Sequence, residues 1–183
     1  MSYAQIGGSY PIRDAALKVT GQKQYVGDMH IPGMLYGEVL FSPVAHARIK
    51  SIDTSEAEAL PGVRAVVTYR DDPGVRFNSA TRFYEHHIPD TERIFDDTVR
   101  FVGDKVAAMA GHNEKIAKKA LKLIKVEYEE LPFYLDPEEA MKEGAYPIHG
   151  ESNVITTMVH DAGKLDEGFA QADRIFEGRY TTQ

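Results

Sequence analysis

The sequence predicts an α+β fold in which short strands and short helices alternate along the chain. Met34 to Phe41 is a mostly apolar run rich in strand formers, and it is bounded by Pro32-Gly33 and Ser42-Pro43, so we expect a buried strand. Ala47 to Ile52 alternates apolar and basic residues, which predicts a second strand with one exposed face. Glu114 to Ile124 carries one apolar stripe and a lysine-rich remainder, as an amphipathic helix does.

The other predicted elements depend on capping residues and on β-branched runs. Thr54 or Ser55 is the predicted N-cap of a short helix that Pro61-Gly62 ends, and Asn113 is the predicted N-cap of the Glu114–Ile124 helix. Residues 70–97, the insertion, lack periodicity and are predicted to form a long loop. The remaining predicted elements are strands over Val63–Tyr69, Lys105–Ala110 and Val126–Glu129, helices over Asp136–Lys142 and Leu165–Ala172, and a strand-like run over Arg174–Gln183.

The composition of the 183 residues excludes several classes of protein. There is no cysteine, so disulfides, thiolate zinc sites, a cysteine nucleophile and iron–sulfur clusters held by this segment are excluded. A formal net charge of −7 argues against nucleic acid as a partner. No apolar run approaches the roughly 20 residues that cross a bilayer, and no secretory signal pattern is present. We therefore predict a cytoplasmic protein without a membrane partner.

The insertion contains the most tempting candidate for a metal site. His86 and His87 are flanked by three carboxylates, Glu85, Asp90 and Glu92. Consecutive residues of an extended chain point in opposite directions, however, and the spacing lacks the helical H-E-x-x-H pair of zinc enzymes. An exposed insertion without a metal is the preferred interpretation.

Four further patterns resemble reactive groups but have simpler interpretations. His46 lacks an evident orienting partner and pocket for a base, so we expect it to pack or to hydrogen-bond locally. Glu127 and Glu129 share a strand face, as exposed acidic residues commonly do. Gly7-Gly8 and Gly103 lack the spacing of a phosphate-binding loop. The lysines of the Glu114–Ile124 helix are expected to form a solvated face: Lys115, Lys118, Lys119 and Lys122.

A series of short motifs occurs in a fixed order along nearly the whole chain. They are Ile12–Gly21 (with the pattern R-x-D-A-x-x-K-V-T-G), Pro32–Gly37, Ser42–Ile49, Ile52–Ser55, Leu60–Val63, Val102–Ala107, Val126–Pro132, Asp136-Pro137 and Ala172–Tyr180. In this order they resemble the large subunit of molybdenum hydroxylases of the xanthine dehydrogenase/aldehyde oxidase family. Two departures concern the subfamily: Val44 stands where relatives commonly have histidine, and Asp104-Lys105 replaces a frequent glutamine- or glutamate-proline pair.

The resemblance implies a division of the chain and a place for the cofactors. Residues 1–20 are expected to form an N-terminal arm, 21–135 an α/β hammerhead domain, and 136–183 a linker and the truncated start of the molybdopterin-binding domain. The strand-like run that stops at Gln183 is what a cut from a longer protein would leave. Molybdopterin is implied for the full-length subunit, and 2Fe-2S clusters and FAD for other domains or subunits. No catalytic, cofactor-binding or metal residue is assigned to this segment.

The family further implies an oxidoreductase that hydroxylates a purine, another heterocycle or an aldehyde with oxygen derived from water. This segment would have a structural and assembly role and would be inactive in isolation. Its expected partners are the downstream molybdopterin-binding domains, the iron–sulfur and flavin subunits or domains, other copies in an oligomer and a small-molecule substrate. Aromatic residues of the insertion, Phe77, Phe83 and Tyr84, are alternative candidates for contact with a partner domain or the substrate funnel. The rival prediction is a stand-alone, non-catalytic scaffold with the same fold, and the coding sequence beyond Gln183 would discriminate the two.

Overall fold

The computed structural model describes residues 7–79, 90–160 and 162–182. Its helices and strands are short and alternate along the chain, which confirms the predicted α+β class. In chain order they are α1 (Ala15–Val19), β1 (Tyr36–Phe41), β2 (Ala47–Asp53), α2 (Ser55–Glu58), β3 (Val63–Thr68), β4 (Thr98–Val99), β5 (Lys105–Gly111), α3 (Glu114–Leu121), β6 (Lys125–Glu130), α4 (Pro137–Ala140) and α5 (Leu165–Gln171). No helix in the described part of the chain is long and apolar enough to span a bilayer.

The chain divides into two compact units, each built from separated stretches of sequence. Of the described residues, the first unit contains 7–39, 53–66 and 108–125, and the second contains 40–52, 67–79, 90–107, 126–160 and 162–182. The strands form two three-stranded sheets, one with the order β1-β5-β3 and the other with the order β4-β2-β6. Strands that are neighbours in each sheet are therefore distant in sequence.

In the first unit, α3 forms as predicted from its cap and its apolar stripe. The Asn113 side-chain oxygen accepts a hydrogen bond of 2.9 Å from the Ile116 N–H. Ala117 and Ala120 are fully buried, and α2 packs against α3. The helix ends at Leu121 and not at Ile124, because the amides of residues 123 and 124 bond to carbonyls only three residues back, at 2.9 and 3.3 Å. Such bonds tighten the last turn and end the α-helical pattern.

Replacing Asn113 with alanine removes the side-chain cap of α3. We expect the substitution to lower the free energy of unfolding by about 1 kcal/mol, the usual loss for an N-cap. Urea denaturation of the wild-type and N113A chains measures it. N113D, which keeps a capping oxygen, serves as the control and should remain close to wild type; equal losses in both variants would contradict the assignment of the cap.

In the second unit, β2 alternates as predicted. Ala47, Ile49 and Ile52 are buried, whereas Arg48 and Lys50 are exposed. β2 pairs antiparallel with β4, with Ala47 opposite Val99, which is 1% exposed. The core of this unit therefore lies on the apolar face of β2.

Two sequence predictions near these strands need correction. Thr54 is the N-cap residue of α2, as predicted, but its side chain makes no capping hydrogen bond, because its hydroxyl donates to Glu58 at 2.6 Å. The Asp53 carboxylate instead accepts a hydrogen bond of 3.0 Å from the Ser55 N–H. A carboxylate two residues before an amide forms this local turn readily. The first strand is not fully buried, since Leu35 and Phe41 are 44% and 55% exposed. β1 lies at the edge of its sheet, so only part of it is covered.

The C-terminal stretch contains both confirmed and wrong predictions. α4 is capped as predicted, since Asp136 accepts a hydrogen bond of 2.8 Å from the Glu138 N–H, and α5 lies where it was expected. The strand-like run is wrong for residues 174–182, which form no strand. Phe176 and Tyr180 there are 88% and 94% exposed. A strand requires a paired neighbour, and none is provided to this segment by the described residues.

Candidate functional site

The candidate site is a cleft in the second unit with many charged side chains in its lining. One cavity of about 380 Å³ is lined by residues of the insertion's C-terminal end, by the start of β5 and by His149. A second cavity, of about 460 Å³, shares Thr91, Arg100 and His149 with the first. Each volume is within the range of small-molecule sites, roughly 300–1,000 Å³.

The described part of the insertion is anchored beside this cleft by a pair of backbone hydrogen bonds. Phe77 and Glu92 exchange N–H···O bonds of 3.0 and 2.9 Å in an antiparallel bridge. The Glu92 carboxylate also accepts from the Ser79 N–H and hydroxyl, at 3.0 and 2.7 Å. The backbone bond from Ser79, followed by the hydroxyl bond, lowers the pKa of Glu92. Glu92 is therefore ionised at neutral pH and already engaged.

Arg100 organises the interior of the cleft. Its Nη1 donates to the Asp96 carboxylate at 2.9 Å and to the Thr98 carbonyl at 3.0 Å, and its Nε donates to the Ile148 carbonyl at 3.2 Å. The side chains of Arg100 and Asp96 are only 17% and 14% exposed. Burial raises the pKa of Asp96, but the hydrogen bond and positive charge of Arg100 lower it by more, so the net shift is downward. Both side chains are therefore charged, and each neutralises the charge of the other.

The polar groups beside this pair are Asp104, Lys105 and His149. Asp104 accepts from the backbone N–H groups of Arg100 and Lys105, at 3.0 and 2.9 Å. Burial, followed by the positive charge of Arg100, lowers the pKa of His149, so its imidazole is neutral at pH 7. The Lys105 ammonium lies 3.5 Å from the Arg93 carbonyl oxygen. The cleft therefore has a neutral imidazole and a lysine ammonium in its lining, beside a carboxylate that is already hydrogen-bonded.

His46 lies outside this cleft and is a structural residue. It is 3% exposed, and its Nδ1 donates to the Pro132 carbonyl at 2.6 Å. Its ring lies edge-on to that of Tyr146, with 5.7 Å between the centroids. The prediction that His46 packs and hydrogen-bonds is confirmed, although its partners are distant in sequence and not local.

The other residues singled out from the sequence do not converge on one site. His86, His87, Glu85, Phe83 and Tyr84 lie outside the described residues. Within residues 7–79, 90–160 and 162–182, no three histidine or carboxylate side chains are placed to hold a metal ion. Glu127 accepts a hydrogen bond of 2.9 Å from Ser51 at an exposed position. The α3 lysines are exposed, and Lys118 pairs with Glu114 one turn earlier on the same helix.

The residues that build the cleft were not found from the sequence. Asp96, Arg100 and His149 were given no role, and Asp104-Lys105 was noted only as a departure from a motif. The available signal was a run of charges of both signs, residues 90–105, directly before the apolar strand β5. That signal indicates a network of ion pairs, but it does not indicate which acidic and basic side chains form the pairs.

Comparison with protein families identifies the fold. The model described as "Aldehyde oxidase and xanthine dehydrogenase, a/b hammerhead domain" matches residues 20–132. The chain is 43% identical over 168 residues to a probable xanthine dehydrogenase subunit of Bacillus subtilis (strain 168), and the match covers 91% of this chain and 22% of that protein. It is 36% identical over 181 residues to the nicotinate dehydrogenase large molybdopterin subunit of Eubacterium barkeri, and that match covers 98% of this chain and 41% of that protein.

Solved structures agree with this assignment. The aldehyde oxidoreductase of Desulfovibrio gigas matches with a TM-score of 0.79 and 34% identity, over 92% of this chain and 19% of that one. The quinoline 2-oxidoreductase of Pseudomonas putida 86 matches with a TM-score of 0.76 and 33% identity, over 92% and 22%. The chain thus spans between about a fifth and two fifths of the length of these relatives. The chain belongs to the aldehyde oxidase and xanthine dehydrogenase family, and residues 20–132 match its α/β hammerhead domain.

Proposed function

We propose that this chain is the hammerhead-containing, N-terminal part of the large subunit of a molybdenum hydroxylase of the xanthine dehydrogenase type. The complete enzyme hydroxylates a purine, another heterocycle or an aldehyde with oxygen from water. One observation carries the proposal: nearly the whole chain aligns, at 43% identity, with a protein described as a probable xanthine dehydrogenase subunit, of which it spans 22%. Fold alone would not support an activity, whereas identity at this level to a named enzyme subunit does.

Within that enzyme, the segment supports the domains that hold the cofactor. Many large apolar side chains are exposed in its terminal stretches. Folded proteins rarely expose clusters of such side chains unless another domain or protein covers them. Examples that are 69–94% exposed are Ile12, Val19, Val159, Phe176 and Tyr180. We propose that residues 1–20 form an arm, 21–135 the hammerhead domain and 136–183 the linker and start of the molybdopterin-binding domain. The family match over residues 20–132 supports the two boundaries of the hammerhead domain.

The described residues do not fit a molybdenum site of their own. They contain no cysteine and no set of three histidine or carboxylate side chains placed around one point. No step of the hydroxylation is therefore assigned to this chain. Molybdopterin would be held by polypeptide beyond this segment, and iron–sulfur and flavin groups by further domains or subunits. The relatives' own descriptions as subunits support a multi-component enzyme.

The proposal predicts the metal content of the full-length product. After expression in a host that supplies the cofactor, metal analysis should find about one molybdenum per chain, as a dedicated buried cofactor requires. The 183-residue chain, expressed in parallel as the control, should contain none. A reading frame that stops after Gln183, or a full-length product without molybdenum, would instead indicate a non-catalytic scaffold.

A further inference from the structure

Arg93 has a buried donor without an acceptor. Its Nε is the one buried side-chain nitrogen or oxygen among the described residues that has no hydrogen-bond partner. Buried polar groups in folded proteins are normally paired, and an unpaired one indicates a missing water, ion or ligand. A guanidinium is always charged and has five N–H donors in a planar fork, so its need for acceptors is large.

The carboxylates that line the same cleft are already occupied. Asp96 is paired with Arg100 at 2.9 Å, Asp104 accepts from two backbone N–H groups, and Glu92 accepts from Ser79. Within the described residues, Arg93 forms no ion pair at or below 4.0 Å with any carboxylate, although its charge helps to lower the pKa of Asp96. Among the described residues of the unit, therefore, no carboxylate is in direct contact with the Arg93 guanidinium.

A second cation lies beside Arg93. The Lys105 ammonium is 3.5 Å from the Arg93 carbonyl oxygen and 5.7 Å from the centroid of the Phe77 ring. Like Arg93, it forms no ion pair with a carboxylate of the described residues. Both side chains line the 380 Å³ cavity together with His149. Three carboxylates, Glu92, Asp96 and Asp104, and a third cation, Arg100, line the same cavity. Those carboxylates already accept hydrogen bonds from the protein, so Arg93 and Lys105 are the two lining cations without a carboxylate in direct contact, and negative oxygens of a ligand would supply one.

We propose that this cleft binds an oxyanion, a carboxylate or a phosphate group, through the Arg93 guanidinium, with Lys105 as the second cation. The planar fork of arginine binds two oxygens of such a group side by side, and the lysine contributes a point charge. The cavity has room for a small molecule attached to the anionic group. The inference is independent of the proposed enzyme function, because it concerns only the polar groups of this unit.

Nuclear magnetic resonance of the arginine Nε–H groups tests this directly. The full 183-residue chain is titrated with inorganic phosphate in one arm and with acetate in the other, at constant ionic strength. We expect the Arg93 Nε–H signal, assigned by its loss in R93Q, to shift and to saturate in at least one arm. The arm that saturates at the lower concentration identifies the phosphate or the carboxylate as the preferred group.

Three variants define the outcome. R93Q lacks the reporting guanidinium, so binding in all variants is also followed by the backbone N–H signal of Ile94, which lines the same cavity. R93Q should weaken binding about tenfold or more, the loss expected for charge-assisted hydrogen bonds. R70Q is the matched control, because Arg70 is exposed, stacks on Tyr69 at 5.7 Å and lines neither cavity; its affinity should equal that of wild type. If R93Q does not fold, K105Q keeps the reporting arginine and should weaken binding several-fold. No saturable shift in either arm, or an affinity unchanged by R93Q or by K105Q, overturns the proposal.

Discussion

Substituting alanine for Gly62 is expected to lower the free energy of unfolding by about 2–5 kcal/mol, from backbone strain and steric overlap together. Gly62 has a φ of +96°, a conformation that side-chain-bearing residues rarely adopt. A Cβ at this position would lie 2.6 Å from Cδ1 of Ile116, the far end of a side chain on α3 that would have to shift to make room. The Gly62 carbonyl also accepts a 2.9 Å bond from the His112 N–H, so the backbone has little freedom to move away.

The chain offers a matched control that separates the two effects. Gly103 has a φ of +97°, yet a Cβ there would meet no atom within 4 Å. G103A should therefore lose only the backbone part, about 1–3 kcal/mol. The double variant G62A/I116V, which removes the clashing methyl group, should recover part of the loss of G62A. Urea denaturation of the wild type and the three variants measures the differences, and a loss in G62A no larger than in G103A would contradict the packing described for α3.

Replacing Arg100 with methionine is expected to destabilise the chain by about 1.5–3 kcal/mol, the usual loss for hydrogen bonds to a charged group, because the ion pair with Asp96 is largely shielded from water. The substitution leaves the Asp96 carboxylate without its cation and two carbonyl groups, those of Thr98 and Ile148, without their donor. R70M, at an exposed arginine, should cost much less. The double variant D96N/R100M should be more stable than R100M alone, because it removes the uncompensated charge. If R100M lowered the free energy of unfolding no more than R70M does, the hydrogen bonds of Arg100 would not stabilise the folded chain.

The same pair predicts how stability depends on pH. The pKa of Asp96 in the folded chain is below its ordinary value of 3.8, since Arg100 outweighs the effect of burial. A carboxyl group whose pKa is lowered by folding stabilises the folded state above its unfolded pKa, and this contribution is lost as the pH falls through the folded pKa. The difference in stability between wild type and D96N should therefore shrink as the pH falls below 3.8. A difference that stays constant down to the acid-unfolding range would contradict the ion pair.

Elements with local signals were predictable from the sequence. The prediction of α3 required only an N-cap residue, Asn113, and an apolar stripe along the helix. Both signals come from residues close together in sequence. β2 needed only its alternation of buried and exposed side chains. The run over residues 174–182 has strand-forming residues but no strand, because a strand also requires a partner that the run itself cannot specify.

The cleft was not predictable for the same physical reason. Arg100 donates to the Ile148 carbonyl, 48 residues away, and Lys105 donates to the Arg93 carbonyl, 12 residues before it in sequence. His46 likewise bonds to Pro132 across 86 residues. The collinear motifs identified the family because they depend only on the order of residues along the chain. These contacts depend on the tertiary structure, which brings distant residues together.

The most direct test of the central claim compares hydroxylation by two proteins side by side: the 183-residue chain alone, and the full-length subunit loaded with its cofactor and assembled with its electron-accepting partners. Oxidation of xanthine and of a panel of aldehydes and heterocycles is followed under identical conditions. We predict turnover of at least one substrate by the assembled enzyme and none by the chain alone. Hydroxylation of a purine or an aldehyde by the purified 183-residue chain would contradict the view that this segment supports a reaction centre located elsewhere.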